Sequence, residues 1–454
     1  MTRHSLSNPA SASTKGAEPV SHHLPFRTLV RAKGVSLVGS RLIAIVRRYG
    51  CTPGKLMASL KAFVQLMHQH NVRATLPIPG IVLARHPDVA QYLHQSGMEL
   101  AIHGWAHISF ADMSLEEQVD SIRRAQAAFS SIGIPVQGFR SPYLSRNASL
   151  LEALRLTGIR YVSNQPILWT LPDLGAVPSG RRSLYLRAQT FYHPWSSEER
   201  TPTPRLRGSL VEIPVSLPDD EMLIDRLHFS DAQQIAEAWL LMLEDIYHRE
   251  GLLTLQAHPE RAPIYAPALA AVLQEARRKQ PSIWIAPLSE IAAWWETSTT
   301  APITAKPVAP HRWHLQVQGP PQLVWLLRGV VTETETCPWM GKYLVATMPE
   351  IEVCAAVRPF LGVPLQASER LVTFLREQGY IVERSNVPSQ YGLYLHWEDL
   401  DPHREHHLLT HIENSEGPLI RLGKWPGGAR SALAVTGDID ALTLGDYLWR
   451  ILGR

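Results

Sequence analysis

The chain has little cysteine, little net charge and no long apolar run. Its 454 residues include only three cysteines, Cys51, Cys337 and Cys354, and their wide spacing excludes a disulfide framework or a cysteine-rich zinc site. The 44 lysines and arginines against 41 acids give a net charge of +3, so we expect no nucleic-acid partner. The apolar runs fall far short of the roughly 20 residues that cross a bilayer, so we predict no transmembrane segment.

The chain does contain ample core material and 20 histidines. Hydrophobic residues make up 45% and charged residues 19%, which is typical of a globular chain with a large buried core. Residues 1–25 are polar and rich in Ser, Ala and Pro, so we expect a disordered arm, no secretory signal and a cytoplasmic protein. Because cysteine is scarce, a bound metal would need histidine and carboxylate ligands.

Residues 36–296 alternate short apolar runs with segments of helical period. This alternation predicts an α/β fold with a mostly parallel sheet or barrel, and ligand chemistry at the carboxyl ends of its strands. The predicted strands cover 72–78, 99–103, 136–139, 159–163, 211–215, 252–256 and 283–286.

The pattern changes after residue 296. Residues 297–311 are rich in Thr, Ala and Pro without periodicity, which predicts a linker. Residues 312–424 predict a small α/β domain of unknown role, and residues 425–454 predict a turn, an apolar strand over 432–435, acidic residues and a short helix.

Two histidines and an arginine follow predicted strands. His103 and His107, spaced i, i+4, can converge on one divalent ion, or they are ordinary polar loop residues. Arg140 lies in the sequence Arg-Ser-Pro-Tyr that ends at Tyr143. It can hold a carboxylate by bidentate hydrogen bonds, or it is a surface arginine.

A third histidine and two aspartates also follow predicted strands. His258 ends the most apolar strand and suits a general acid, while a hydrogen-bonded core histidine is the plain alternative. Asp219 and Asp220 end a strand and a proline segment, where they could assist the chemistry or form a solvated acidic turn.

Taken in chain order, these motifs resemble the polysaccharide deacetylase family, carbohydrate esterase family 4, over about residues 50–296. The shared segments are His-x-x-x-His, Arg-x-Pro-Tyr, a Pro/Asp segment and Leu-x-x-His. The resemblance implies a distorted (β/α) barrel, usually of seven strands. Gly104 departs from the Ser or Thr of many members, although a Gly variant is similar to the ureide-cleaving branch.

The acidic motif that opens this family is missing from the front of the chain. Arg47 and Arg48 stand where two acids are expected, and arginine beside an ion would repel it. Asp438 and Asp440 look like that motif in its Asp-x-Asp form. We therefore predict a circular permutation, in which the strand within 425–454 is the first barrel strand and both aspartates share one of its faces.

Plainer interpretations of this tail stay open. It could begin a second, truncated deacetylase domain, or its acids could cap the helix that follows them. In either case the front domain would be a deacetylase-like protein without catalysis.

The resemblance implies one divalent metal held by His103, His107 and Asp440. Zinc is the first expectation, and cobalt, nickel and manganese are the alternatives. The implied supporting or substrate-contacting residues are Tyr143, Trp105, Asp219 and Asp220.

The same resemblance implies that Asp438 is a general base, that His258 is a general acid and that Arg140 orients Asp438. We expect a metal-dependent hydrolase that removes N-acetyl or O-acetyl groups from a glycan or glycan precursor. The alternatives are a non-catalytic glycan-binding relative and a C–N hydrolase that acts on a small cyclic amide.

Overall fold

The computed structural model describes residues 52–172 and 174–452. The predicted arm over 1–25 lies outside the described residues, as do Arg47 and Arg48. In the described part of the chain, the helices are α1 (Gly54–Gln69), α2 (Gly80–Arg85), α3 (Pro87–Gln95), α4 (Leu115–Ser131), α5 (Leu150–Leu156), α6 (Ser179–Tyr192), α7 (Ala232–His248), α8 (Ala262–Arg278), α9 (Leu288–Thr299), α10 (Glu369–Glu377), α11 (Glu405–Asn414) and α12 (Leu444–Leu452).

The strands are numbered in the same way. They are β1 (Thr75–Ile78), β2 (Glu99–Ile102), β3 (Gly138–Phe139), β4 (Tyr161–Leu168), β5 (Trp195–Ser196), β6 (Arg205–Arg207), β7 (Leu210–Leu217), β8 (Leu252–Gln256), β9 (Ile283–Ile285), β10 (Ile303–Ala309), β11 (Arg312–Val317), β12 (Trp325–Arg328), β13 (Cys337–Met340), β14 (Tyr343–Ala346), β15 (Glu350–Cys354), β16 (Arg358–Val363), β17 (Val382–Arg384), β18 (Tyr391–Tyr394), β19 (Leu419–Leu422) and β20 (Ser431–Thr436).

Seven parallel strands close into a barrel. Their order is β4-β3-β2-β1-β20-β8-β7, and β7 pairs again with β4 to complete the ring. Strands β8 and β20 are buried along their whole length, as expected for parallel strands that are covered on both faces. The predicted α/β fold with a distorted (β/α) barrel is therefore confirmed. Among the described helices, none is long and apolar enough to cross a bilayer.

Strand β20 lies between β1 and β8, far from its neighbours in sequence. Ala432 to Thr436 pair with β8 over its full length, and Thr436 also pairs with Thr75 of β1. Beyond the strand, Ile439 donates its backbone N–H to the carbonyl of Pro77 at 2.8 Å, which continues the chain along β1. How this order relates to that of the family stays a prediction.

Residues 303–422 add three smaller sheets, of order β10-β11-β15, β13-β14-β12-β19 and β17-β16-β18, with α10 and α11 beside them. The expected linker over 297–311 differs from the structure, because α9 runs to Thr299 and β10 pairs antiparallel with β11. Cross-strand pairing and the β-branched residues Ile303, Thr304 and Val308 favour the strand. Pro307 is tolerated because β10 is an edge strand.

Leu433 and Leu448 offer a matched test of the position of β20. Leu433 is fully buried, whereas Leu448 in α12 is 44% exposed. We expect Leu433→Ala to lower the free energy of unfolding by about 2–5 kcal/mol, because it opens a cavity in the barrel core. Leu448→Ala should change it by less than about 0.5 kcal/mol. Urea unfolding measures both, and equal losses would contradict the insertion of β20.

Candidate functional site

The first two predicted site residues follow β2. His103 comes directly after the strand and is 1% exposed, and His107 ends the short loop behind it. Gly104 between them has φ +74°, and a Cβ there would lie 2.9 Å from a ring carbon of Phe110. This loop therefore needs glycine, which gives a physical reason for the departure from Ser or Thr.

The aspartates of the C-terminal segment meet these histidines at the carboxyl end of the barrel. Oδ1 of Asp440 lies 3.1 Å from Nε2 of His107 and 3.6 Å from Nε2 of His103. Oδ2 of Asp438 lies 3.9 Å from Nε2 of His103. Ile439 between the aspartates is 1% exposed and packs in the core, so the two carboxylates share the opposite face.

Gly437 allows this approach. A Cβ at this position would lie 2.3 Å from the carbonyl oxygen of Ala257, closer than any real contact. Only glycine lets the chain that leaves β20 run so close to the end of β8. Asp438, the next residue, consequently lies against the side chains that end β8.

Three of these side chains form a set suited to a divalent ion. Nδ1 of His103 donates to the carbonyl of Arg140 at 2.8 Å, which leaves the Nε2 lone pair of a neutral ring available. That Nε2 is buried and has no hydrogen-bond partner among the described residues. The possible ligand atoms of His103, His107 and Asp440 all lie within 4.8 Å of one another. Tetrahedral ligands at about 2.1 Å from zinc lie roughly 3.4 Å apart, so the set fits such an ion.

Arg140 is buried at the end of β3 and orients Asp438. Its Nη1 donates to Oδ1 of Asp438 and to the hydroxyl of Thr436, both at 2.9 Å. Its Nε and Nη2 donate to the carbonyl and the hydroxyl of Ser163 at 3.1 and 2.9 Å. The guanidinium is thus held by partners on β4 and β20 and by Asp438, whose Oδ1 accepts a hydrogen bond from it.

Gln256 holds the second oxygen of Asp438. Its Nε2 donates to Oδ2 of Asp438 at 3.0 Å and lies 3.5 Å from Nε2 of His258. The amide therefore stands between the predicted base and the predicted acid. Sequence reasoning missed Gln256, although it lies two residues before His258. In an extended chain this spacing places both side chains on the same face. Sequence reasoning also missed Ser163 and Thr436, which hold Arg140.

His258 is paired with Asp220. Its Nδ1 lies 2.6 Å from Oδ1 of Asp220, and its backbone N–H donates to Oδ2 of the same carboxylate at 3.1 Å. Burial disfavours the charged imidazolium, but the Asp220 carboxylate outweighs burial and raises the pKa of His258 to about 10. His258 is therefore protonated at neutral pH.

Asp219 and Asp220, which follow β7, differ in environment. Asp220 contacts Nη1 of Arg261 at 3.4 Å as well as His258. Burial, followed by the charge of Asp220, raises the pKa of Asp219 to about 7. Asp219, Asp220 and His258 also lie within ligand distance of one another, but a cation there would face the guanidinium of Arg261.

Tyr143 lies beside the histidine pair, and Trp105 lies in the loop between the two histidines. The Tyr143 ring is 37% exposed and meets the ring of His107 edge to face at 4.5 Å. Trp105 packs on α4, where the Arg124 guanidinium lies 4.4 Å above its ring and Ser121 accepts its backbone N–H. Its predicted supporting role stays a prediction.

Residues 54–162 match the family model described as polysaccharide deacetylase. The matched span confirms the predicted resemblance and includes His103, His107, Arg140 and Tyr143. No curated protein matches the chain.

Three solved structures are similar to the chain, each with a TM-score of 0.41. A protein from Mycobacterium smegmatis assigned as a polysaccharide deacetylase is 20% identical, over 58% of this chain and 84% of its own. An allantoinase is 14% identical and a protein from Pseudomonas aeruginosa assigned as a polysaccharide deacetylase is 17% identical, each over 52% of this chain and 72% of its own. Similarity at this level does not transfer a substrate to this chain.

Asp440→Asn tests whether the three-residue set binds metal. The change keeps the shape of the side chain and removes its charge, so bound zinc after dialysis should fall more than about tenfold. Asp446→Asn is the matched control, because Asp446 belongs to the same segment but pairs with His86 and Arg85. Metal content by mass spectrometry is the readout. Equal zinc in both variants would contradict the site.

Proposed function

We propose that this chain, with its match to polysaccharide deacetylases over residues 54–162, is a divalent-metal-dependent hydrolase of acetylated glycans or glycan precursors. It would remove N-acetyl groups, and O-acetyl groups less readily. The observation that best supports this proposal is the distance of 3.1 Å between Oδ1 of Asp440 and Nε2 of His107. These two residues come from opposite ends of the described chain. Within this proposal, β20 is the family's first barrel strand in a permuted position.

His103, His107 and Asp440 would hold the ion, with zinc as our first choice and cobalt, nickel or manganese as alternatives. When bound, such an ion supplies Lewis acidity to the acetyl carbonyl and lowers the pKa of an attacking water. The remaining chemistry belongs to the side chains around the ion.

Asp438 is the proposed general base. Arg140 and Gln256 each donate to one of its carboxylate oxygens, at 2.9 and 3.0 Å, which fixes the orientation of the group. It takes a proton from the water that attacks the acetyl carbon. Neither Arg140 nor Gln256 readily accepts a proton, so the proton taken from water stays on Asp438.

His258 is the proposed general acid. Its Nδ1–H is held by Asp220, so its Nε2–H is the proton available to the leaving amine as the C–N bond breaks. The products are acetate and a free amine, and the proton gained by Asp438 balances the one lost by His258. Tyr143 forms a partly exposed wall beside His107, where a substrate could contact it.

Asp438→Asn separates the proposed base from the metal set. We expect release of acetate from chitooligosaccharides to fall at least about 100-fold, because positioned proton transfer contributes that much. Bound zinc should stay close to the wild-type level, in contrast to Asp440→Asn. Turnover at the wild-type rate would contradict the assignment. Wild-type turnover of a cyclic ureide and none of the chitooligosaccharide would replace the glycan substrate with a cyclic amide.

Asp220→Asn tests the assignment of His258 through pH. A histidine whose pKa is about 10 stays protonated, so kcat/KM of the wild type should fall only as pH rises through that value. Loss of the Asp220 charge leaves burial to lower the pKa, and the alkaline limb should move toward pH 7 or below. Asp225→Asn, which removes a carboxylate bound to Arg261, is the control. An unchanged limb in Asp220→Asn would exclude His258 as the acid.

A further inference from the structure

Helix α6 exposes apolar and basic side chains together. Its sequence, SGRRSLYLRAQTFY, contains three arginines and no acid. Leu184, Leu186 and Phe191 are 39%, 48% and 57% exposed, while Tyr185 and Ala188 hold the opposite face to the protein. Leu184 and Phe191, seven residues apart, share one side of the helix, and Leu186 lies on another side. Side chains of this size and exposure on one helix favour an interaction surface.

Three arginines of α6 add positive charge to this surface. Among the residues that the structure describes, Arg181, Arg182 and Arg187 form no ion pair. Arg181 and Arg187 are exposed, and Arg182 is half-buried. The face is therefore a solvated positive patch with apolar side chains among the charges, which is the composition of helices that lie in the headgroup region of a membrane.

The patch adjoins the mouth of the candidate site. Helix α6 follows the carboxyl end of β4 and packs against residues 221–226, which follow the carboxyl end of β7. The ring of Phe191 meets that of Tyr143 at 6.0 Å, and Tyr143 meets His107 at 4.5 Å. A surface that covers α6 would therefore lie directly beside the histidine pair.

We propose that α6 docks this face of the protein on an anionic membrane surface. Anionic headgroups complement Arg181, Arg182 and Arg187, and the acyl boundary accepts the apolar side chains. A second copy of the chain would not complement the patch, because a twofold contact through α6 would set the same arginines against each other. A neutral glycan strand offers no countercharge.

Docking in this orientation presents the site to molecules in the membrane. The substrate class that follows is an acetylated sugar attached to an anionic lipid, and this consequence rests on the proposed function. Membrane binding itself does not depend on hydrolysis. The two ideas can therefore fail separately.

Co-sedimentation of the full chain with vesicles tests the proposal. We expect binding to vesicles of phosphatidylcholine with phosphatidylglycerol, weakening as salt is added, and little binding to phosphatidylcholine alone. Arg181→Ala with Arg187→Ala should weaken binding about fivefold for each arginine removed. Arg181→Lys with Arg187→Lys should restore it, because charge and not fork geometry is required.

Matched surface changes serve as controls. Leu184→Ser with Leu186→Ser should also weaken binding, whereas Leu365→Ser, at a leucine that is 57% exposed, should not. Arg123→Ala, at an exposed arginine of α4, should likewise leave binding unchanged. Circular dichroism checks that each variant is folded. Wild-type protein that stays in the supernatant with both vesicles, or control variants that lose as much binding as the α6 variants, would overturn the proposal.

Discussion

A buried guanidinium sets the geometry of the barrel's carboxyl end. Arg140 is 1% exposed, and an arginine removed from water costs several kcal/mol unless its charge and donors are satisfied. Ser163 and Thr436 accept some of its hydrogen bonds, and Asp438 supplies the opposite charge. The carbonyl of the same residue fixes the tautomer of His103. One residue thus orients a carboxylate and an imidazole that come from different ends of the chain.

The ion pair between Arg140 and Asp438 joins residues that are 298 positions apart. The sheet β17-β16-β18 packs mainly with α10 and α11 in a cluster of its own, whereas the sheets β10-β11-β15 and β13-β14-β12-β19 share a core with the outer face of the barrel. Trp325 of β12, Trp295 of α9 and Trp425 are fully buried in that common cluster with Ile213 of β7. The indole N–H of Trp425 also donates to the carbonyl of Glu250 just before β8, at 3.1 Å. The added sheets therefore bring the chain back to the barrel within reach of the gap that β20 fills.

Much of the barrel could be predicted from the sequence, because parallel strands covered on both faces appear as short apolar runs. The edge strand β10 could not, since Thr, Lys and Pro in a half-exposed strand look like a linker until β11 provides its partner. Gln256 was missed for a related reason. A single amide in an apolar strand has no evident role until Asp438 lies opposite it.

The packing of Trp105 on α4 shows a different limit of the sequence. Its side-chain direction depends on the left-handed backbone of Gly104, a torsion angle that sequence spacing does not contain. The shared face of the two aspartates, in contrast, was predictable, because an Asp-x-Asp pattern after an apolar run keeps both carboxylates on one side of an extended chain. Burial of Ile439 between them preserves that alternation beyond the last paired residue of β20.

The position of β20 also orders events during synthesis. A ribosome makes His103, His107 and Arg140 early, and it makes all three added sheets before it reaches Asp438. Until then, the nascent barrel lacks one of its seven strands, and Arg140 lacks its carboxylate partner Asp438. A nascent chain that stalls in the added sheets therefore carries an open, unpaired barrel edge, which chaperones and proteases recognise. Because this strand is synthesised last, the aspartates can meet the histidines only after all the residues between them have been made.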